Sequence, residues 1–253
     1  MRIISYNLNG IRSSVNKGLP DWLRAASPDV FCVQELKAQE GDFDHTPFRN
    51  LGYDVHLFPA QKKGYSGVGI FSRIAPDHVE MGCGIKDYDF EGRVIRADFG
   101  DVSVLSIYFP SGTTGDERQQ FKYRFLDDML IYFEKLKKKR KQLVLCGDFN
   151  ICHKPIDIHN PVANANSSGF LPEERAWMEK LLSKGYIDSF RQFNPDPHNY
   201  TWWSFRAGAR KRNLGWRIDY QIITENLGSR LSRAAILPEA QHSDHCPVLL
   251  ELK

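Results

Sequence analysis

The chain has 253 residues, 42% of them hydrophobic and 12% aromatic, enough for a substantial core and near the upper size that one core serves. Its formal charge of +3 is too small to single out a nucleic-acid partner, so the placement of charge matters more than the total. No apolar run approaches the roughly 18 residues of a membrane span, and the five scattered cysteines form neither a disulfide framework nor a zinc-ligand pattern.

No Gly/Ser-rich or Pro-rich stretch reads as a linker, so a single domain over residues 1–253 is expected. The opening MRIISYN enters a strand pattern at once, without the apolar stretch of a signal peptide. Reduced thiols and a cytoplasmic location are the matching expectation.

In chain order, the first strand is predicted over Arg2–Tyr6, a short helix over Leu19–Ala26 and a second strand over Val30–Gln34. Val-, Ile- and aromatic-rich runs bounded by Gly, Asp, Asn or Pro then predict strands at Val68–Ser72, Val94–Phe99 and Val102–Tyr108. From Asp116 to Lys139, Phe121, Phe125, Met129, Phe133 and Leu136 recur at helical spacing, with acids at the start and lysines at the end, as the helix dipole favours. A strand at Gln142–Gly147 follows, then a helix over Glu173–Ser183 with Pro172 before it. The last strands are predicted at Tyr200–Phe205, Trp216–Thr224, Leu231–Leu237 and Pro247–Leu252. This alternation predicts an α+β fold with two packed mixed sheets flanked by helices.

Polar groups stand repeatedly at strand mouths: Asn7 after the first strand, Glu35 after the second, then Tyr108, Asp148 and Asn150 in GDFN, Asp219, and Asp244 and His245 in HSDH. At any one mouth, ordinary turn chemistry is an equal explanation. Six such mouths converge on one end of a sandwich if their strands are neighbours. Glu35 follows a buried-strand pattern, where an isolated carboxylate is costly to ionise unless paired or metal-bound. Oxygen donors from Glu35, Asn7 and Asp244 suit Mg²⁺ better than zinc. A salt bridge from Glu35 to a Lys or Arg is the competing explanation. Asp148 and Asn150, two apart on an extended segment, can take a proton from water and hold that water. An Asp219–His245 pair favours an imidazolium able to stabilise charge on a phosphate. His242 has no comparable pattern and is expected at the surface, as is the basic run Lys135–Lys141 at a helix end.

With these residues in view, the chain resembles the exonuclease III family of abasic-site endonucleases, within the endonuclease/exonuclease/phosphatase superfamily. The resemblance rests on SYNLNGIRS at 5–13, CVQELK at 32–37, KGYSGVGIFS at 63–72, IYFPSG at 107–112 and LCGDFN at 145–150. It continues through NSSGFLPEERAWM at 166–178, YTWWSFRAGARKRNLGWRIDY at 200–220 and SDHCP at 243–247. It implies a four-layered α/β sandwich of the DNase I-like type, built from two similar halves. It implies Glu35 as the main Mg²⁺ ligand, with Asn7 and Asp244 beside it and Mn²⁺ as a substitute. Asp148, with Asn150, would activate and orient water or form part of a second metal position. Asp219 would hold His245 against the scissile phosphate, with Tyr108 adding a further contact. Trp202, Trp216 and Ile218 match the family's abasic-sugar pocket, and Asn164 a phosphate contact. Arg206 stands where some relatives insert Met into the duplex, and Asn9 where some carry Asp.

Between Trp202 and Ile218 the aromatics interleave with Arg206, Arg210, Lys211, Arg212 and Arg217, with no acid. That composition suits a damaged duplex, cations on phosphates and rings around an extruded sugar. Trp203, facing opposite to Trp202, is expected in the core. The activity implied is hydrolysis of the phosphodiester 5′ to an abasic site in duplex DNA by a monomer, with trimming of 3′-blocked ends. Two alternatives are a same-fold phosphodiesterase acting on RNA, a phosphoinositide or a sphingolipid, and a nucleic-acid-binding protein without catalysis.

Overall fold

The computed structural model describes residues 1–253. Two six-stranded sheets pack face to face. The first runs, edge to edge, Leu231–Ile236, Val248–Leu252, Arg2–Asn7, Val30–Gln34, Val68–Ser72, Asp54–Phe58; the second runs His78–Met81, Val94–Phe99, Val102–Tyr108, Gln142–Asp148, Asp219–Thr224, Tyr186–Asp188. In both sheets the neighbours pair antiparallel, antiparallel, parallel, antiparallel, antiparallel. The two halves implied by the resemblance are therefore present in the pairing itself.

Each parallel pair needs a crossover, and in each a helix supplies it. Leu19–Ala26 links Arg2–Asn7 to Val30–Gln34, and the 24-residue helix Asp116–Lys139 links Val102–Tyr108 to Gln142–Asp148. Alternation along the strands sorts the side chains into layers. Ile3, Cys32, Val144 and Cys146 face the opposite sheet; Ile4, Val33, Leu143 and Leu145 face the helices. Both faces being covered, these strands are buried throughout; Val30–Gln34 and Val68–Ser72 accordingly read as near-continuous apolar runs, while Val94–Phe99 buries Arg96 and Asp98 as an ion pair.

The three strands with no sequence signal are edge strands. His78–Met81 is largely exposed, Asp54–Phe58 is only partly buried, and Tyr186–Asp188 is only three residues long, so none needs an apolar run. The expected strands at Tyr200–Phe205 and Trp216–Thr224 are shorter. Only Trp202–Trp203 pairs with Gly215–Trp216, and the chain breaks at Arg217–Ile218 before Asp219 resumes pairing opposite Asp148. The break follows from the buried Arg217, whose guanidinium turns aside to bind Asp157 and Asp188. The buried stripe of the long helix contains the predicted Phe125, Met129, Phe133 and Leu136 and is wider than predicted. It comprises Lys122, Phe125, Leu126, Met129, Leu130, Phe133 and Leu136, with Phe121 at its margin.

Gly147 sets the close approach of the two central strands of the second sheet. Its φ is 148°, and a Cβ there would lie 1.9 Å from the Ile107 carbonyl oxygen. Gly147→Ala is expected to destabilise the protein by about 2 kcal/mol or more through steric displacement of that strand pair. Urea unfolding measures this directly, and an unchanged midpoint would contradict it.

Candidate active site

The C-terminal ends of the two parallel pairs lie together, as carboxyl ends of parallel strands do in open α/β sheets. Asn7 and Glu35 come from the first sheet; Tyr108, Asp148 and Asn150 come from the second. Asp219 enters opposite Asp148 in the sheet register. The loop before the last strand brings Asp244 and His245, where His245 bridges to Trp202. Glu35, Tyr108, Asp148, Asn150, Trp202, Trp216, Ile218, Asp244 and His245 all line one open cleft of about 880 Å³. The local backbone is committed to this arrangement. Asn9, Glu35, Lys37 and Asn150 all have φ between 47° and 52°, a region that costs a non-glycine residue of order 1 kcal/mol or more.

At the floor, Asn7 donates through Nδ2 to Glu35 Oε1 at 2.8 Å and to Asp148 Oδ2 at 2.9 Å, while its Oδ1 accepts the Asn9 backbone N–H. The reverse orientation would set an oxygen against two carboxylates. Asn7 thus bridges the two carboxylates and holds them together. Asn150 spends both amide hydrogens on Phe109 O and Asp148 Oδ2, and its backbone N–H reaches Asp148 Oδ1. Its side-chain oxygen is left as an acceptor for a water. His245 pairs with Asp219 through Nδ1 at 2.9 Å and turns Nε2 toward Asp148 at 3.9 Å.

Burial governs the charges here. Asp148 is pushed up to about 8, first by burial and then by the neighbouring Asp219. Burial works against the His245 imidazolium, but Asp219 outweighs it, and the ring is raised to about 10. Glu35 is only partly exposed and loses hydration there, yet it is held below the ordinary carboxylate range by the Lys37 ammonium and the Asn7 amide. The Glu35–Lys37 ion pair, at 2.7 Å, is the salt bridge that competed with metal binding as an account of Glu35. Burial pushes the Tyr108 phenol well up, and the charges of Glu35 and Asp148 add to it. Arg93 lies beneath the Tyr108 ring at 5.0 Å and donates to its backbone oxygen.

Ligand atoms of Glu35, Asp148 and His245 all lie within 4.8 Å of one another. A cation already stands against Glu35 in the form of Lys37, so this carboxylate is poised for positive charge. A protonated His245 has no lone pair to offer, which leaves oxygen donors and fits a hard divalent cation better than zinc. Asp244 lies at the rim, outside this group. Its oxygens are taken by Asn9 Nδ2 and Trp202 Nε1.

Above the floor, Trp202 and Trp216 meet edge to face, with ring centroids 6.0 Å apart, and pack with Ile218 against Phe170. Trp203 is buried as expected. Other expectations change. Arg210 is spent on the backbone oxygens of Ser243, Pro238 and Ala240, and Arg217 on Asp157 and Asp188. Arg206, Lys211 and Arg212 remain exposed. Asn164 is not on the cleft wall: its amide holds its own loop through His159 O and Asn160 O, and Asn166, Ser167 and Ser168 line the cleft instead. His242 is buried between Tyr6 and Trp22 rather than at the surface. Two neighbours were not singled out by the sequence. Lys37 sits in the CVQELK stretch, and the fully buried Lys122 binds Glu174 and the Asn150 carbonyl; a lysine three residues before Phe125 on a buried stripe was the available signal.

The loop beneath Trp216 carries a pH dependence. Asp157 is buried, but Arg217 and Arg191 overcome that burial and bring it down to about 2. The stabilisation is present above the ordinary value near 4 and lost as pH falls through about 2, an effect of about 2 kcal/mol. Asp157→Asn should flatten the acid limb of the stability curve between about pH 4 and 2; an acid limb identical to the parent's would contradict the assignment.

A model of the endonuclease/exonuclease/phosphatase family matches residues 4–245. An exodeoxyribonuclease of Bacillus subtilis is 42% identical over 252 residues, covering 99% of this chain and 98% of its own. The structure of an AP endonuclease from Archaeoglobus fulgidus superposes with a TM-score of 0.92 at 32% identity, over 100% of this chain and 99% of that one. A 3′ phosphatase from Neisseria, bound to a product DNA hairpin, superposes with a TM-score of 0.93 at 28% identity, over 100% and 99%.

Proposed function

This chain belongs to the endonuclease/exonuclease/phosphatase family, and from that premise we propose that it is a Mg²⁺-dependent DNA repair nuclease. It hydrolyses the phosphodiester 5′ to abasic sites in duplex DNA and removes nucleotides or blocking groups from 3′ ends. The observation that carries the reading is the convergence of Glu35, Asp148 and His245 at the floor of a cleft walled by Trp202, Trp216 and Ile218. Exposed Arg206, Lys211 and Arg212 beside that wall supply the charge for a phosphate backbone. The relatives named above act as an exodeoxyribonuclease, an AP endonuclease and a 3′ phosphatase, all hydrolases of phosphate esters.

Glu35 and Asp148 would hold the cation, which supplies neutralising charge at the phosphate and at Asp148. Asp148 accepts the proton of the attacking water, and Asn150 holds that water through its free amide oxygen. His245, kept charged by Asp219, counters the negative charge that grows on the phosphate oxygens. The Tyr108 phenol, kept protonated by burial, donates to the phosphate or the leaving oxygen. Trp202, Trp216 and Ile218 enclose an extruded sugar lacking its base. The protein works as a monomer in the cytoplasm, and Mn²⁺ substitutes for Mg²⁺. No helix is long and apolar enough to cross a membrane.

The test is a panel of abasic, 3′-phosphate, deoxyuridine and undamaged duplexes, with an RNA strand and an inositol phosphate, each with Mg²⁺ and with EDTA. Metal-dependent incision concentrated on the abasic and 3′-phosphate duplexes is expected. Turnover of the inositol phosphate alone, or full turnover in EDTA, would overturn the reading.

A further inference from the structure

Five polar side chains form an unbroken line from the Glu35 carboxylate to the indole of Trp202. Glu35 Oε2 pairs with the Lys37 ammonium at 2.7 Å, and the same ammonium donates to Asn9 Oδ1. Asn9 Nδ2 donates to Asp244 Oδ1 at 2.8 Å, and Trp202 Nε1 donates to Asp244 Oδ2 at 3.1 Å. Ser243 Oγ completes the Asp244 coordination at 3.2 Å. Lys37 holds a left-handed φ of 49°, which a lysine adopts only where its surroundings impose it.

The line contains one ammonium between two carboxylates, and only one of those carboxylates belongs to the Glu35–Asp148–His245 group. A divalent cation at Glu35 and an ammonium on the same carboxylate repel each other. Loading of Glu35 therefore favours displacement of Lys37 from it. Its stem is flexible, a third of its side chain is exposed, and its other contact, Asn9, leads to Asp244.

The geometry points to Asp244 as the counter-charge that receives the Lys37 ammonium when Glu35 takes a divalent cation, with the Trp202 N–H holding that carboxylate in place. This rests on the divalent-cation reading of Glu35 given above. Asp244 is then a positioning residue and not a metal ligand, and the wall of the sugar pocket is tied to the metal side of the cleft. Trp202 has a second use beyond its ring, one that a phenylalanine at this position could not serve.

Mn²⁺ binding to the whole protein without DNA, counted from the paramagnetic resonance signal of the free ion, tests this apart from activity. Glu35→Ala is expected to remove the site. Asp244→Asn should weaken binding about tenfold, within the usual range of coupling between linked sites. Lys37→Met, which removes the competing ammonium from a half-exposed position, should tighten binding, and Asp244→Asn added to it should change little. Trp202→Phe should weaken binding less than Asp244→Asn does, and only while Lys37 is present. Equal weakening by Asp244→Asn with and without Lys37 would make Asp244 a ligand and overturn the inference while leaving the cation reading intact. Failure of Lys37→Met to tighten binding would overturn it as well. Binding indifferent to Glu35→Ala would overturn both.

Discussion

Asp148→Asn is expected to lower cleavage of an abasic duplex on the order of 10³-fold or more, while binding of that duplex changes only a few-fold. The substitution nearly preserves shape and removes the group that the proposed function assigns to accept the proton of the water. Asp148 does not touch the exposed cations Arg206, Lys211 and Arg212, to which the proposed function assigns the affinity. The same change leaves at least one of the Asn7 and Asn150 N–H donors facing an amide N–H group, but it also removes the penalty of ionising a buried carboxyl, so the melting temperature should stay close to that of the parent. A carboxyl whose pKa rises on folding, here to about 8, favours the folded state only while protonated. Between the ordinary value near 4 and about 8, ionisation of the unfolded chain works against folding, and an amide removes that opposition. Single-turnover cleavage and thermal melting together check the prediction. A variant that cleaves at the parental rate, or that loses activity only because it has unfolded, would contradict it.

Lys122→Met should produce the largest loss of stability, about 3–5 kcal/mol, because it strands the Glu174 carboxylate in a site where both partners are fully buried. In a chain of this length that corresponds to a fall of roughly 10 °C in melting temperature. Glu174 would keep the Gly169 and Leu171 backbone N–H groups and the Gln119 amide, but no compensating charge. Adding Glu174→Gln to Lys122→Met should restore part of the loss, since the penalty comes from an unpaired charge. The effect should extend to catalysis. Lys122 donates to the Asn150 carbonyl at 2.7 Å, holding a residue at a φ of 52°, and Glu174 ties down the Gly169–Leu171 wall of the cleft. A lower kcat in the refolded double variant is expected; a double variant as unstable as Lys122→Met would show that the cost lies in packing instead.

Much of the fold was legible because its centre is apolar on both faces. Val30–Gln34, Val68–Ser72, Val94–Phe99 and Val102–Tyr108 were read with the ends that the structure shows. Edge strands such as His78–Met81 carry no such signal, since only part of each needs burial. The site was legible for a related reason: Asn7, Glu35, Tyr108, Asp148 and Asp219 stand at strand ends, so chain order places them once the strands are neighbours. What stayed hidden depends on orientation and pairing. Nothing in one sequence says that Asn7 turns its N–H groups to the carboxylates, or that Arg210 and Arg217 are consumed internally while Arg206 is not. His242, expected at the surface, is buried for the same reason, because its place is set by the Tyr6 and Trp22 rings packed around it and not by its neighbours in sequence.

The central claim is that the Glu35 and Asp148 carboxylates share one divalent cation at the floor of this cleft. Crystals soaked in Mn²⁺ and measured for anomalous scattering test it most directly. The account predicts a peak about 2.2 Å from a Glu35 oxygen, on the side facing Asp148, with Lys37 moved away from Glu35. A peak confined to other carboxylates, with the Glu35–Lys37 pair intact, would contradict it.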